Sequence, residues 1–283
     1  MIDERDVWAR VGEVLDPELD RPLSALGFVE CVEIRGAQVE VRLRLPTFWC
    51  AANFAFLMAA DLRDRIGRAP GVERVTVRLM DHFAQDEIAD AVNAGRPFSE
   101  TFPGEADGEL DELRLTFARK AFLVRQEQLM RALLRAGETP ERLARLRAAD
   151  LRADGDALLL RRAPEHAGEE HAGQQGAWRR LPSLARLLAM LVQKRAALGL
   201  PTVADDDPLF TTEAGVPLPP QRTAVMAFLG TARMVRLNGA FNTLLCTGLN
   251  RVQHGVEVDA DALCAGGQEP ESAGIPGERR AQA

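Results

Sequence analysis

The chain contains no tyrosine, and only 5% of it is aromatic. A mechanism that needs a tyrosine nucleophile or a phenolic acid is therefore excluded. Cysteine is sparse: Cys31, Cys50, Cys246 and Cys264 are scattered, and no two form a CxxC pair. Neither a disulfide framework nor a self-contained zinc site is indicated. Lysine is nearly missing, since 33 of the 35 basic residues are arginine; a GC-rich coding bias explains this more simply than function does. An excess of positive charge is also absent. The net charge is -7 and the pI about 5.3, which leaves no global basic surface for nucleic acid. No stretch reaches the ~18–20 apolar residues of a membrane span. The start, Met1-Ile2-Asp3-Glu4-Arg5-Asp6, lacks the basic-then-apolar layout of a secretion signal. A soluble, cytoplasmic protein with no membrane or nucleic-acid partner is expected.

What is present is length. The 283 residues, 46% hydrophobic, suffice for two domains, each with its own core. Val7/Trp8, Val11 and Val14/Leu15 recur at helical spacing and predict a helix over 6–15, stopped by Pro17. Phe28 to Ile34 reads as a strand. After the Arg35-Gly36-Ala37 turn, Val39, Val41, Leu43 and Leu45 alternate with Gln38, Glu40, Arg42 and Arg44, a half-buried strand that completes an antiparallel hairpin. A helix follows from Ala51 to about Gly67, then a third strand over 72–80. The order α-β-β-α-β over residues 1–82 predicts an α+β domain, a small mixed sheet covered on one face by two helices.

Residues 83–110 read as a connector wrapped onto a domain, with Phe83, Phe98 and Phe102 set among Gly, Pro and acids. Residues 111–265 read as a mainly α-helical domain. Its expected helices lie near 111–135, 140–150, 183–198, 221–235 and 237–250, with one short strand at Leu158-Leu159-Leu160. Residues 266–283, rich in Gly, Pro and Glu, read as a disordered tail.

Cys50 is the most informative residue. It follows the alternating strand and the turn Pro46-Thr47-Phe48-Trp49 and stands where a helix begins. The positive end of the helix dipole and its unpaired N–H groups favour a thiolate there, the form that attacks electrophiles and binds metal. A lone cysteine at a helix start is also a common small buried hydrophobe. Asp16-Pro17-Glu18 reads equally as a simple stop and turn. Cys31, in mid-strand, reads as core. His82, beside Asp81 after the third strand, is either a surface histidine or a group near the site.

The set Asp16-Pro17-Glu18, Leu26-Gly27, Thr47-Phe48-Trp49-Cys50 and Pro70-Gly71-Val72-Glu73-Arg74-Val75 resembles, in order and spacing, the PaaD/SufT-type iron–sulfur cluster assembly factors. The resemblance covers residues 1–82. Phe48, Trp49 and Ala51 stand where that family often has Pro, Gly and Pro, and only Thr47 and Cys50 are kept from that turn. The two aromatics would narrow access to the thiol or form a docking surface for one dedicated client.

The resemblance implies a non-enzymatic factor that assists delivery of an iron–sulfur cluster or iron, held transiently, to an apo-metalloprotein. Its partners would be that client and the cluster assembly machinery. Cys50 would be the transfer ligand, with Asp16, Glu18 and Thr47 supporting it and His82 a further candidate. A cluster normally takes about four ligands, so Cys50 would act with a second protomer in a homodimer, a partner or a small thiol. Long extended versions resemble proteins that accompany soluble di-iron hydrocarbon monooxygenases. Such a hydroxylase, or its reductase, is the expected client.

Residues 119–220 show a weaker resemblance to the catalytic domain of tyrosine recombinases. It rests on Arg135 to Leu151, Arg179-Arg180-Leu181-Pro182, and Pro208-Leu209-Phe210 with Gly215-Val216-Pro217-Leu218. Thr139 stands where the first catalytic Arg would be, and the tyrosine is missing, so strand cleavage is excluded. Two alternatives remain. One is a DNA-binding or regulatory protein using Arg142, Arg145, Arg147, Arg152, Arg161 and Arg162 as a basic face. The other is a thiol-dependent enzyme with Cys50 as nucleophile and His82 as the nearest candidate base. His166, Glu169 and His171, in a Gly-rich loop, lack the spacing that sets two His on one helical face. Asp205-Asp206-Asp207 reads as a solvated turn.

Overall fold

The computed structural model describes residues 2–104, 109–162, 178–200 and 204–256. The His166–Glu169–His171 loop, Cys264 and the 266–283 tail lie outside the described residues. The chain divides into two compact units. The described residues of the first fall within Met1–Asp16, Arg21–Thr101 and Leu244–Ala283, and those of the second within Pro17–Asp20 and Phe102–Thr243. This division differs from boundaries at 82 and 111. Residues 83–101 belong to the first unit, and so does the end of the last helix.

In the first unit, α1 (Glu4–Gly12) is capped by Asp3, whose carboxylate accepts from the Arg5 N–H. The helix ends well before Pro17, which corrects the expectation that proline stops it. After Val14 the chain turns extended, and the Val14 carbonyl accepts from Leu23 N–H. Leu15–Asp16 (β1) then pairs with Arg21–Pro22 (β2). The hairpin β3 (Val29–Arg35) and β4 (Gln38–Arg44) closes at Gly36, where φ is +64° and a side chain would be strained. Helix α2 (Ala52–Ile66) carries the chain back to β5 (Arg74–Met80), which lies parallel to β4 with Arg44 opposite Met80. The sheet order is β3-β4-β5, the small mixed sheet expected. Val39, Val41, Leu43, Val77 and Leu79 are buried on the sheet, which packs on α2 with its buried Leu57, Leu62 and Ile66, and α1, with Val7 and Val11 buried, packs on α2.

Residues 83–101 hold two helices, α3 (Gln85–Ala94) and α4 (Phe98–Thr101), and α3 packs on α2 and β5. Asn93 of α3 accepts from Val77 N–H at 2.8 Å and donates to Val77 O at 2.9 Å, so the helix takes up backbone groups of the edge strand β5.

The second unit is built on α5 (Glu109–Arg135), α6 (Pro140–Leu143), a 3-10 turn (Ala148–Asp150), β6 (Leu151–Asp154), β7 (Ala157–Arg161), β8 (Trp178–Leu181) and α7 (Ala185–Ala197). It also holds the greater part of α8 (Arg222–His254). The expected strand at Leu158–Leu160 is the centre of a three-stranded antiparallel sheet, β6-β7-β8. The helix expected over 140–150 breaks after Leu143. The two expected over 221–250 are one, since no proline interrupts them. Phe122, Leu129, Leu133, Leu158, Leu191 and Phe210 form the core. Buried Gln126 exchanges two hydrogen bonds with the Thr211 backbone, and buried Glu127 pairs with Arg131 and Arg236.

Four of the six arginines proposed as a basic face are engaged within this unit. Arg142 pairs with Glu138 at 2.7 Å, and Arg147 donates to the Asp206 carbonyl. Arg161 bonds Ala149 O, while Arg152 and Arg161 both lie over the Trp178 ring. Among the described residues no helix is long and apolar enough to cross a membrane.

Candidate functional site

Because β4 and β5 are parallel and in register, the segments that leave them emerge at the same end of the sheet. One is the turn Thr47-Phe48-Trp49-Cys50, closed by Cys50 N–H donating to Thr47 O at 3.3 Å. The other is Asp81-His82-Phe83-Ala84. Three contacts lock the two together. His82 Nε2 is 2.7 Å from the Cys50 carbonyl, Phe83 N–H donates to Phe48 O at 3.1 Å, and Arg44 pairs with Asp81 at 3.0 Å.

The histidine's protonation follows from its partners. Ala84 N–H donates to His82 Nδ1 at 3.2 Å, so Nδ1 is the unprotonated nitrogen and Nε2–H donates to Cys50 O. The ring is 2% exposed. Burial pushes its pKa below the usual histidine value, against the opposing pull of the bond to the Cys50 backbone. His82 is thus a neutral brace for the Cys50 main chain.

Cys50 is half-buried and immediately precedes Ala51, the cap residue of α2. The helix therefore starts one residue later than expected. Ala51 offers no side-chain cap, and the first turn of α2 holds no carboxylate. The first turn of α2 thus offers no acidic side chain to offset the positive end of its dipole. Around the thiol the surface is aromatic: Phe48, Trp49 and Phe83 are 56%, 69% and 53% exposed. Phe48 and Phe83 meet edge to face at 6.4 Å, and Phe83 lies 4.6 Å from the His82 ring. An open cavity of about 490 Å³ adjoins them, lined among others by Asp81, Asp86 and His254.

The structure therefore brings Thr47, Cys50 and His82 together. Asp16 is buried on β1, in register with Arg21. Glu18 belongs to the second unit, where its carboxylate accepts from Asn242 at 3.0 Å. Among the described residues no three His, Cys, Asp or Glu side chains converge as a metal-binding group. Asp16, Glu18, Cys50 and His82 do not make such a set. Cys31 lies on β3 with its sulfur 3.8 Å from Glu33; burial first, then the Glu33 charge, raise its pKa and keep it a thiol. Sequence reasoning missed Asp81, Phe83, Asp86 and His254. For the first three, the strand–helix–strand order was the available signal. For His254, about 170 residues further on, there was none.

A three-stranded mixed sheet backed by helices, with a cysteine just before the crossover helix, defines a small α+β domain. Residues 4–78 match the family model of the iron-sulfur cluster assembly proteins. The match supports a role in iron–sulfur cluster assembly, and it ends before the Phe102–Thr243 part of the second unit. No match supports the recombinase-like reading of residues 119–220. No curated protein matches the chain.

Proposed function

We propose that the chain is a non-enzymatic maturation factor that helps deliver an iron–sulfur cluster, or iron, to an apo-metalloprotein, with Cys50 as the transfer ligand. One observation carries the reading. Within a segment that matches cluster assembly proteins, a cysteine stands before an uncapped helix start, and its main chain is braced by a buried neutral histidine. The thiol loses its proton as sulfur bonds iron. A client thiolate then displaces Cys50 from the metal, and Cys50 takes a proton back. Since one sulfur falls short of the about four ligands of a cluster, the remaining ligands come from a partner, a second copy or a small thiol. The exposed Phe48, Trp49 and Phe83 are the surface on which the client docks. A soluble di-iron monooxygenase or its reductase is the client proposed, and the cytoplasm the compartment.

A thiol-enzyme reading loses its candidate base, because both ring nitrogens of His82 are engaged with backbone groups. A nucleic-acid reading is weakened by the arginines already paired within the second unit.

Anaerobic reconstitution with ferrous iron and sulfide tests the proposal. Wild type should bind iron and show cluster-like visible absorption. Cys50→Ala should lose both, and Cys31→Ala should keep them. Equal iron in wild type and Cys50→Ala removes Cys50 as the ligand. No iron in either leaves an adaptor that docks a client without carrying cargo.

A further inference from the structure

The carboxyl-terminal half of α8 is amphipathic in the reverse sense. Its buried positions include Thr243, Thr247 and Asn250, while Phe241, Leu244, Leu245 and Val252 are exposed. Water favours the opposite arrangement, so another surface is needed to cover the apolar side. At 3.6 residues per turn the stripe continues back through Leu237, Met234 and Met226, all exposed. Gly230 and Gly248 share it, and a Cβ at either would meet nothing within 4 Å. Arg233 and Arg251 flank one edge, and no acidic residue occurs anywhere on the helix.

We propose that this face pairs with the same face of a second copy of the chain, the two α8 helices running antiparallel about a two-fold axis at Phe241. The sequence is self-complementary about that residue. Met234 and Gly248 are equidistant from Phe241, as are Gly230 and Val252, and Leu237 and Leu245. Antiparallel pairing sets Met234 into the gap at the partner's Gly248, and Val252 into the gap at the partner's Gly230. It also sets Leu237 against the partner's Leu245. Large side chains meet missing ones, as close packing requires. Arg233 and the partner's Arg251 then share the exposed edge of the seam, where water and salt screen their repulsion. A parallel, in-register pair would set glycine on glycine, leaving gaps.

The extent is sufficient. Met226 to Val252 spans about 40 Å of helix. The exposed fractions put on the order of 700 Å² of apolar side chain on each copy, near the roughly 800 Å² per partner of a standard interface. The chain's own residues 257–283 are a poor cover, with only Val258, Leu263 and Ile275 as large aliphatics. Two copies joined in this way carry two Cys50 thiols per assembly, and the inference stands whether or not those thiols carry metal.

Sedimentation of the full chain is the test. Wild type should run as a dimer. Phe241→Glu should run as a monomer with unchanged helix content, since Phe241 is 66% exposed. Val216→Glu, at an exposed position off this helix, should stay dimeric. Should Phe241→Glu lose helix, Leu237→Glu tests the same face. Orientation is read by oxidation and peptide mapping. The double variant Met234→Cys, Gly248→Cys should cross-link 234 to 248 between chains, and Met234→Cys alone should not link to itself. A monomeric wild type, or a dimer that survives both glutamates, overturns the proposal. A 234–234 link overturns the antiparallel arrangement.

Discussion

His82 Nε2 stands 2.7 Å from the carbonyl oxygen of Cys50, and the same ring takes the Ala84 N–H on its other nitrogen. One buried imidazole thus ties the turn after β4 to the turn after β5 and fixes the main chain that presents the thiol. No other side-chain type of that size offers one donor and one acceptor on opposite sides of a flat ring.

Removing this brace has a defined cost. His82→Ala leaves the Cys50 carbonyl and the Ala84 N–H without their partner, and each unsatisfied group costs about 1–3 kcal/mol when it stays buried. Water entering the space vacated by the ring would offset part of that. The expected loss is about 2 kcal/mol overall, read as a lower urea midpoint at unchanged slope. A variant as stable as wild type would mean that the turn holds its shape without the ring.

The same residue gives stability a pH dependence of known sign. Burial lowers the folded-state pKa of His82 below its unfolded value of about 6.5. The unfolded chain therefore binds the proton first as pH falls. The contribution is fully present above about pH 6.5 and is lost below it, down to the folded pKa. Urea midpoints at pH 7.5 and 5.5 should differ more in wild type than in His82→Ala. An equal drop in both proteins would assign the effect to other groups.

Much of the first unit was legible because its signals are local. The alternation from Val39 to Leu45, the glycine turn at Gly36 and the apolar period of α2 each depend on near neighbours alone. The cysteine at the helix start was legible for the same reason. The partnership of Cys50 with His82 was not, because it depends on β4 and β5 lying parallel and in register. That relation follows from packing the crossover helix rather than from any residue pattern. The role of α8 was hidden more deeply. A helix whose buried side carries Thr243, Thr247 and Asn250 contradicts the rule by which its face would be assigned. Glu18 shows the limit of motif reasoning: its motif neighbour Asp16 lies in one unit, and Glu18 bonds Asn242 in the other.

The aromatic rim separates docking from folding. Trp49 and Phe48 are largely in solvent, so Trp49→Ala should change stability by no more than about 0.5 kcal/mol. Iron uptake through Cys50 should be kept, while the rate of cluster transfer to an apo-protein client falls severalfold. Transfer at the wild-type rate from a Phe48→Ala, Trp49→Ala double variant would remove the rim from client recognition.

Asn250 supplies the last test, and it concerns how the first unit is completed. This residue of α8 is fully buried, and its amide donates to Leu26 O at 3.2 Å and Gly27 O at 3.1 Å. Those carbonyls belong to the Leu-Gly step that leads into β3, where Gly27 has φ +71°. The amide oxygen of Asn250 has no hydrogen-bond partner, so the side chain is held by donation alone. Asn250→Ala should therefore cost about 1–3 kcal/mol through two orphaned carbonyls. Asn250→Asp should cost more, because it exchanges the donor for a charge facing two carbonyl oxygens. Thermal unfolding of the two variants reads the order. If Asn250→Asp were as stable as wild type, the end of α8 would contribute nothing to the cluster assembly unit, and residues 2–104 would be expected to fold without it.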